Sequence, residues 1–186
     1  MLNVTILVGN PKPGSRTLLV AQTLVERMLT PGSYTTTVID LTEHSSHIFE
    51  WPSDVMTALS ATVAESNLLL VASPTYKATY TGLLKAFLDR YPAASLANVV
   101  AVPIMTGADL GHSMGPEVNL RPLLVELGAS VPTRGLYFVT SEMDRLEERV
   151  DAWLAINAPM LRSISPIIDA LPSDAASELV SSEAAR

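Results

Sequence analysis

The sequence of 186 residues contains no cysteine. Disulfide bonds, thiolate zinc sites and redox-active thiols are therefore excluded, and any redox chemistry has to be carried by a bound organic cofactor. Positive charge is also scarce, because 12 lysines and arginines stand against 19 aspartates and glutamates and leave a formal net charge of -7. This balance argues against binding to nucleic acid, whose phosphate backbone requires a basic surface.

Long apolar runs are missing as well. No stretch reaches the roughly 20 apolar residues that a membrane-spanning helix needs, and residues 1–8 lack the basic start of a signal peptide. We therefore expect a cytoplasmic protein without membrane contact. Hydrophobic residues nevertheless make up 48% of the chain, which is enough for one domain with a substantial core and favours some apolar surface for a partner subunit.

Apolar runs alternate along the chain with segments of helical periodicity. The predicted strands are residues 3–8, 34–41, 67–72, 98–104 and 130–139, and the predicted helices are residues 18–28, 54–64, 82–90, 120–127 and 144–161. This alternation indicates an α/β fold with right-handed crossovers, and we predict a doubly wound five-stranded parallel sheet of order 2-1-3-4-5. The domain is expected to span residues 1–164, and residues 165–186 form a C-terminal tail.

The first of three unusual loops follows the first strand, at residues 9–17, with the sequence Gly-Asn-Pro-Lys-Pro-Gly-Ser-Arg-Thr. In such sheets the ligand binds beyond the carboxyl ends of the strands, between the first and the third. Hydroxyls at Ser15 and Thr17, the free amides of a helix start and the charge of Arg16 predict a phosphate site there. A simple N-cap at Ser15 is the alternative, but the length and the Pro/Gly content of the loop favour binding.

Two other phosphate-binding motifs are excluded at this turn. Gly9 and Gly14 have the glycine spacing of a P-loop, yet Ser15 and Arg16 stand where that motif has Lys and a hydroxyl residue. The G-x-G-x-x-G fingerprint of dinucleotide-binding folds is absent from the turn too. The loop therefore predicts neither a nucleotide hydrolase nor that kind of dinucleotide site.

The second and third loops follow the third and fourth strands. Residues 73–82 are dense in hydroxyls and carry Tyr76 and Tyr80, which suits a planar ring with polar edges, although Tyr80 equally fits core or subunit packing. Residues 106–115 contain three glycines, which indicates close approach of the backbone to a ligand. His112 in this loop is either a donor to a ligand oxygen or a structural hydrogen-bonding residue, and no metal site is predicted.

Together the three loops resemble those of the NADPH-dependent FMN reductases of the flavodoxin-like superfamily. The most specific segment is Ser-Pro-Thr-Tyr-Lys at residues 73–77, followed by a Gly-Leu-Leu-Lys helix that begins at Gly82. The resemblance implies a flavodoxin-like fold, FMN and NADPH as cofactors, and hydride transfer from reduced nicotinamide to FMN. The cofactor-binding residues it implies are Gly9, Asn10, Ser15, Arg16 and Thr17 at the phosphate, Pro74, Thr75, Tyr76 and Lys77 along the ribityl chain and flavin, and Thr106, Gly107 and His112 in the third loop.

The resemblance also implies partners. The helix that begins at Gly82 would pack against a second copy in a homodimer or homotetramer, the electron acceptor would be a flavin or a quinone, and a monooxygenase would receive the reduced flavin. No side chain is predicted to be catalytic. Val118 stands where some flavin reductases carry an aromatic residue, which leaves open whether FMN is a held cofactor or a substrate. The alternatives are an FMN-containing quinone, azo or chromate reductase, a flavodoxin-type electron carrier, and a flavin binder without activity.

Overall fold

The computed structural model describes residues 1–162 and residue 164, so the predicted tail at residues 165–186 lies outside the described residues. Five strands alternate with five α-helices. The strands are β1 (Leu2–Val8), β2 (Tyr34–Asp40), β3 (Leu68–Pro74), β4 (Val100–Gly107) and β5 (Leu136–Val139), and the helices are α1 (Arg16–Met28), α2 (Asp54–Ala64), α3 (Gly82–Leu88), α4 (Arg121–Glu126) and α5 (Leu146–Arg162). No helix within this part of the chain has the length and apolar character needed to cross a bilayer.

The five strands form one parallel sheet in the order β2-β1-β3-β4-β5, as predicted. Val8 at the end of β1 lies opposite Asp40 at the end of β2 and Ala72 of β3, and β3 continues two residues further to Pro74. The chain order reverses between β1 and β3. This reversal opens a crevice at the carboxyl edge, because the connections from these two strands leave toward opposite faces of the sheet.

Helices cover both faces of the sheet. In β3, Leu68 and Leu70 pack with α1 and α5, whereas Leu69 and Val71 pack with α2, α3 and α4. Every residue of β3 and β4 is buried, which explains why these strands appear in the sequence as continuous apolar runs instead of alternating ones. The two cores thus fix the central strands, whose carboxyl ends carry the second and third loops.

Two strand boundaries differ from the prediction in a way that matters for the loops. Ser73 and Pro74 end β3, and Thr106 and Gly107 end β4, although all four were expected in loops. Both strands continue because Ser73 still pairs with β4, at Met105, and because the Thr75 amide donates to the Thr106 carbonyl at 2.7 Å. The polar ends of these strands are therefore held by the sheet itself.

The predicted strand at residues 130–139 is wrong in its first half, since β5 begins only at Leu136. The backbone before it is bonded elsewhere: the Arg134 amide donates to Asn157 of α5 at 2.8 Å, and the Gly135 amide donates to Glu117 at 2.5 Å. Because these amides bond to side chains, the backbone just before Leu136 does not pair with β4.

A π-helical turn (Pro116–Leu120) leads into α4, where the sequence predicts only the start of an ordinary helix at residue 120. A second short helical segment, the 3₁₀ turn Thr140–Arg145, connects β5 to α5. The buried side chains of α5 include Leu146, Val150 and Trp153, as predicted.

Candidate functional site

The three loops predicted from the sequence meet at the carboxyl edge of the sheet around one cleft of about 400 Å³. This volume lies in the range of ordinary small-molecule sites. The lining residues are Asn10, Lys12, Pro13, Gly14, Ser15, Arg16 and Thr17 from the first loop, Pro74, Thr75 and Tyr76 from the second, Thr106, Gly107 and Ala108 from the third, and Thr140 after β5. Most of the predicted cofactor contacts are therefore brought together in one place.

The amino end of α1 forms one wall of the cleft. Ser15 is the N-cap of this helix, and its Oγ accepts a hydrogen bond from the Leu18 amide at 3.2 Å. The same residue lines the cleft, so the capping role and the binding role predicted for Ser15 are compatible. The partial positive charge of the helix start and the guanidinium of Arg16 make this wall suitable for an anion.

A buried hydroxyl network lies beneath this wall. Thr17 Oγ1 accepts from Asn10 Nδ2 at 3.0 Å and shares a 2.8 Å hydrogen bond with Thr106 Oγ1. Thr17 and Thr106 are 1% and 2% exposed, and the Lys12 amide donates to Asn10 Oδ1 at 3.0 Å. The network joins the first loop to β4, so it holds the shape of the loop before any ligand binds.

Asp40 is a buried carboxylate that the prediction missed. It ends β2 beside the first loop, is 4% exposed, and lies against the amides of Thr42 and Gly14. Burial raises the pKa of Asp40 above its ordinary value, and the two amide hydrogen bonds offset part of this effect. The signal in the sequence was an acidic residue that follows Val38 and Ile39 at the end of the second predicted strand.

The second loop is attached to the cleft floor by Thr81, which the sequence also failed to single out. Its hydroxyl donates to the Gly9 carbonyl at 2.5 Å and accepts from the Leu84 amide as the N-cap of α3, while its amide donates to Ser73 Oγ at 3.0 Å. Thr75 lies nearby with a buried Oγ1 that has no hydrogen-bond partner among the described residues. A buried hydroxyl without a partner is costly, so this atom is a natural contact for a polar ligand.

The third loop approaches the cleft through Gly107. A Cβ at this position would lie 1.9 Å from the hydroxyl of Tyr137, which itself donates to the Asp109 carbonyl at 2.8 Å. Only glycine allows the end of β4 and the Tyr137 ring to come so close. The close approach that the glycine content predicted is therefore a contact within the protein, made directly beside the cleft.

Three predicted contacts do not line the cleft. Gly9 lies beneath it, where a Cβ would come within 2.5 Å of the Leu84 side chain, and Lys77 and His112 are exposed outside it. His112 ends a 3₁₀ turn (Leu110–His112). Contacts between a ligand and these three residues stay predictions. The part of the chain that the structure describes contains no group of His, Asp and Glu able to hold a metal ion.

The sequence profile of the family described as NADPH-dependent FMN reductase matches residues 2–144, a segment that contains all three loops. The chain belongs to this family. A Pseudomonas putida protein named FMN reductase (NADPH) is 35% identical over 81 residues, which cover 44% of this chain and 41% of that protein. The chain therefore spans less than half the length of that relative.

Two further comparisons cover more of the molecule. A Pseudomonas putida protein named NADH-dependent FMN reductase SfnF is 30% identical over 152 residues, covering 78% of this chain and 81% of that protein. The solved structure of an NADH:FMN oxidoreductase in its apo form superimposes with a TM-score of 0.72 at 24% identity, covering 94% of this chain and 97% of that chain. The family fold is thus the flavodoxin-like sheet described above.

The cleft fits the FMN that the family name implies in three separate respects. The α1 amino end with Arg16 suits the phosphate, the partnerless Thr75 hydroxyl suits a polar atom of the ligand, and the half-exposed Tyr76 ring offers an aromatic contact. Among the described residues, the cleft lining contains no histidine or carboxylate. The lining residues suit binding and orientation of a cofactor.

Proposed function

We propose that the chain is an NAD(P)H-dependent FMN reductase that binds FMN in this cleft. The observation that carries the proposal is that a helix start suited to an anion and a residue with a buried, partnerless hydroxyl, Thr75, line one cleft at the switch point of the sheet. When bound, FMN supplies the hydride-accepting chemistry, which requires no nucleophile from the protein.

The residues that line the cleft would bind and position the cofactor. Ser15, Arg16 and the first amides of α1 would hold the phosphate, and Arg16 is itself oriented by a 3.2 Å hydrogen bond from Nη1 to the Thr140 carbonyl. Thr75 Oγ1 would contact the ligand, and the backbone of Thr106 and Gly107 would meet its ring edge. Each of these groups is held by the sheet or by a helix start, so little ordering is required on binding.

The electron acceptor and the oligomeric state belong to the same proposal. A homodimer or homotetramer through the helix that begins at Gly82 is supported by a groove of about 450 Å³ between α3 and α4, whose lining includes Leu88, Tyr91 and Leu123. A cytoplasmic monooxygenase that consumes reduced FMN is the partner we expect. Reduction of quinones, azo compounds or chromate through the same cofactor is the alternative, since only the second substrate would differ.

The proposal is tested by NADPH and NADH oxidation with purified protein, with and without added FMN, and with a quinone as the second acceptor. We expect oxidation that depends on FMN and proceeds without the quinone. Oxidation that needs the quinone would favour the alternative, and FMN binding without any oxidation would leave a carrier or a binding protein.

A matched pair of variants ties the activity to the cleft. Thr75→Val removes the partnerless hydroxyl, and we expect the KM for FMN to rise about three- to tenfold, the worth of one hydrogen bond. Thr62→Val is the control, because the Thr62 hydroxyl donates to the Ala58 carbonyl within α2 at 3.1 Å and Thr62 does not line the cleft. Equal KM values for both variants would contradict the assigned contact.

A further inference from the structure

The second loop contains a tight turn whose backbone is unusual for its residues. Tyr76 and Thr79 form an antiparallel bridge, with the Tyr76 amide donating to the Thr79 carbonyl at 2.9 Å and the Thr79 amide returning to the Tyr76 carbonyl at 3.3 Å. The two central residues, Lys77 and Ala78, have φ angles of 51° and 70°. This is a two-residue hairpin turn in which both central residues are left-handed.

Such turns usually contain glycine or asparagine, because other residues adopt positive φ at a cost. Here the central pair is Lys-Ala, and neither residue favours a positive φ angle. The two bridge hydrogen bonds join the backbone groups of Tyr76 and Thr79. Neither of them involves the Ala78 carbonyl. A conformation of this kind persists when its surroundings hold it.

The Ala78 carbonyl is held by one side chain from a distant part of the chain. Asn119 Nδ2 donates to it at 2.9 Å from the π-helical turn Pro116–Leu120. A π-helical turn contains one more residue per turn than an α-helix, and such turns are frequent at functional sites. Asn119 is half-buried and lines the groove between α3 and α4 but not the cleft, so any effect it has on a ligand in the cleft is indirect.

The π-helical turn is a firm base for this contact. Glu117 accepts from Arg121 Nε at 2.6 Å and from the Gly135 amide at 2.5 Å, and Arg121 also donates to the carbonyls of Val131 and Thr133. These bonds join the turn to the segment that precedes β5. Asn119 is therefore presented from a part of the chain that is fixed independently of the second loop.

The geometry points to a positioning role: we propose that Asn119 holds the Lys77–Ala78 turn in its left-handed conformation and thereby sets the direction in which Thr75 and Tyr76 meet the cofactor. This inference rests on the proposed FMN site. Thr75 and Tyr76 directly precede the turn and line the cleft, so release of the turn alters the backbone that carries both contacts. Asn119 is a positioning residue and touches no reacting atom.

The first test needs no ligand, because Lys77 makes the turn a potential trypsin site. In limited proteolysis, Asn119→Ala should be cut after Lys77 about three- to tenfold faster than the parent, since one hydrogen bond that opposes local opening is lost. Asn119→Asp keeps the size of the side chain but replaces the donor, and should be cut at least as fast as Asn119→Ala. Asn98→Ala is the matched control, because Asn98 is exposed just before the amino end of β4.

The second test measures FMN binding by fluorescence titration. Asn119→Ala should raise the Kd of FMN about three- to tenfold, and in an Ala78→Gly background the same substitution should change the Kd by less than about twofold, because glycine accepts the left-handed conformation unaided. A subunit contact or a general loss of stability would not be reversed by glycine at this position.

The outcomes separate the two proposals. Unchanged cleavage after Lys77 in both Asn119 variants overturns the positioning role, whether or not FMN binds. If Asn119→Ala is cleaved faster than the parent but the parent binds no FMN, Asn119 holds the turn as inferred, and both the proposed function and the link to the cofactor are removed. An affinity loss of equal size in the Ala78 and Ala78→Gly backgrounds also overturns the role.

Discussion

Two walls of the cleft are built in opposite ways. The loop at residues 9–17 places glycine at Gly14, where φ is 56°, and buries its own hydroxyl network around Thr17. The second wall is formed by Pro74, Thr75 and Tyr76, and the turn that follows it has Lys77 and Ala78 at positive φ and accepts a hydrogen bond from Asn119, elsewhere in the chain. Residues of the loop itself determine the conformation of the first wall, whereas tertiary contacts determine the conformation of the second.

We expect the largest effect from a substitution that disrupts the hydroxyl network of the first wall. Thr17→Val keeps the shape of the side chain but leaves Asn10 Nδ2 and the Thr106 hydroxyl without their buried partner. We expect the free energy of unfolding to fall by about 1–3 kcal/mol in urea denaturation, the cost of unsatisfied buried polar groups. Thr62→Val is the control, because its hydroxyl bonds only within α2 on an exposed face, and a loss of equal size there would contradict the network.

A smaller effect is expected at the cap of the same wall. Ser15→Ala removes the hydroxyl that accepts from the Leu18 amide, and a lost N-cap costs about 1 kcal/mol. Thermal unfolding with and without FMN measures both roles of Ser15. If the stabilisation by FMN is the same in the variant as in the parent, Ser15 is a cap alone and takes no part in binding.

Strain in the turn that follows the second wall is tested by a substitution that is normally destabilising. Ala78→Gly should raise the free energy of unfolding by roughly 0.5 kcal/mol, because relief of the left-handed penalty exceeds the entropy that glycine adds to the unfolded chain. Ala86→Gly in α3 is the matched control and should lower it by about 1 kcal/mol. The same sign at both positions would show that the turn is not strained.

The smallest effect concerns Asp40 beneath the first wall. Its pKa is raised in the folded chain, so the folded state binds a proton more tightly than the unfolded state. The charged carboxylate therefore lowers stability above the folded pKa, and this loss is recovered as the pH falls toward 3.8, the ordinary value for aspartate. Asp40→Asn should remove this dependence.

The measurement is the difference in urea midpoint between the parent and Asp40→Asn at pH 7 and at about pH 4, close to the ordinary pKa of aspartate. A difference is needed because Glu50, Glu117 and Glu148 have lowered pKa values and lose stabilising contributions as the pH falls. We expect the parent to gain stability relative to the variant at the lower pH. A relative loss would mean that the folded state favours the charged form of Asp40.

The sheet was predictable because its determinants are local. Buried runs such as residues 68–72 are continuous and apolar, and Gly, Pro and hydroxyl residues mark the loops that follow them. The strand order followed from these elements and from the handedness of the connections. The cleft was predictable for the same reason, since its first loop carries its own glycine, caps and charge.

The missed features are held by contacts between segments far apart in the sequence. Thr81 joins the second loop to Gly9, Asn119 reaches Ala78, and Glu117 with Asn157 binds the backbone of residues 134–135, which does not pair with β4. No periodicity or turn motif in one sequence reveals such pairs. Local patterns predicted where the cleft lies, but not which side chains hold its second wall.

The amino end of α1 with Arg16 is proposed to bind the phosphate of FMN. Comparing the affinities of the chain for FMN and for riboflavin, which lacks the phosphate, tests this contact. Fluorescence titration of the parent should give a Kd for FMN at least about tenfold lower than for riboflavin, because a charge-assisted contact is worth roughly 1.5–3 kcal/mol. Arg16→Gln should remove most of this difference while leaving the riboflavin Kd nearly unchanged. Equal affinities of the parent for FMN and riboflavin would contradict the claim.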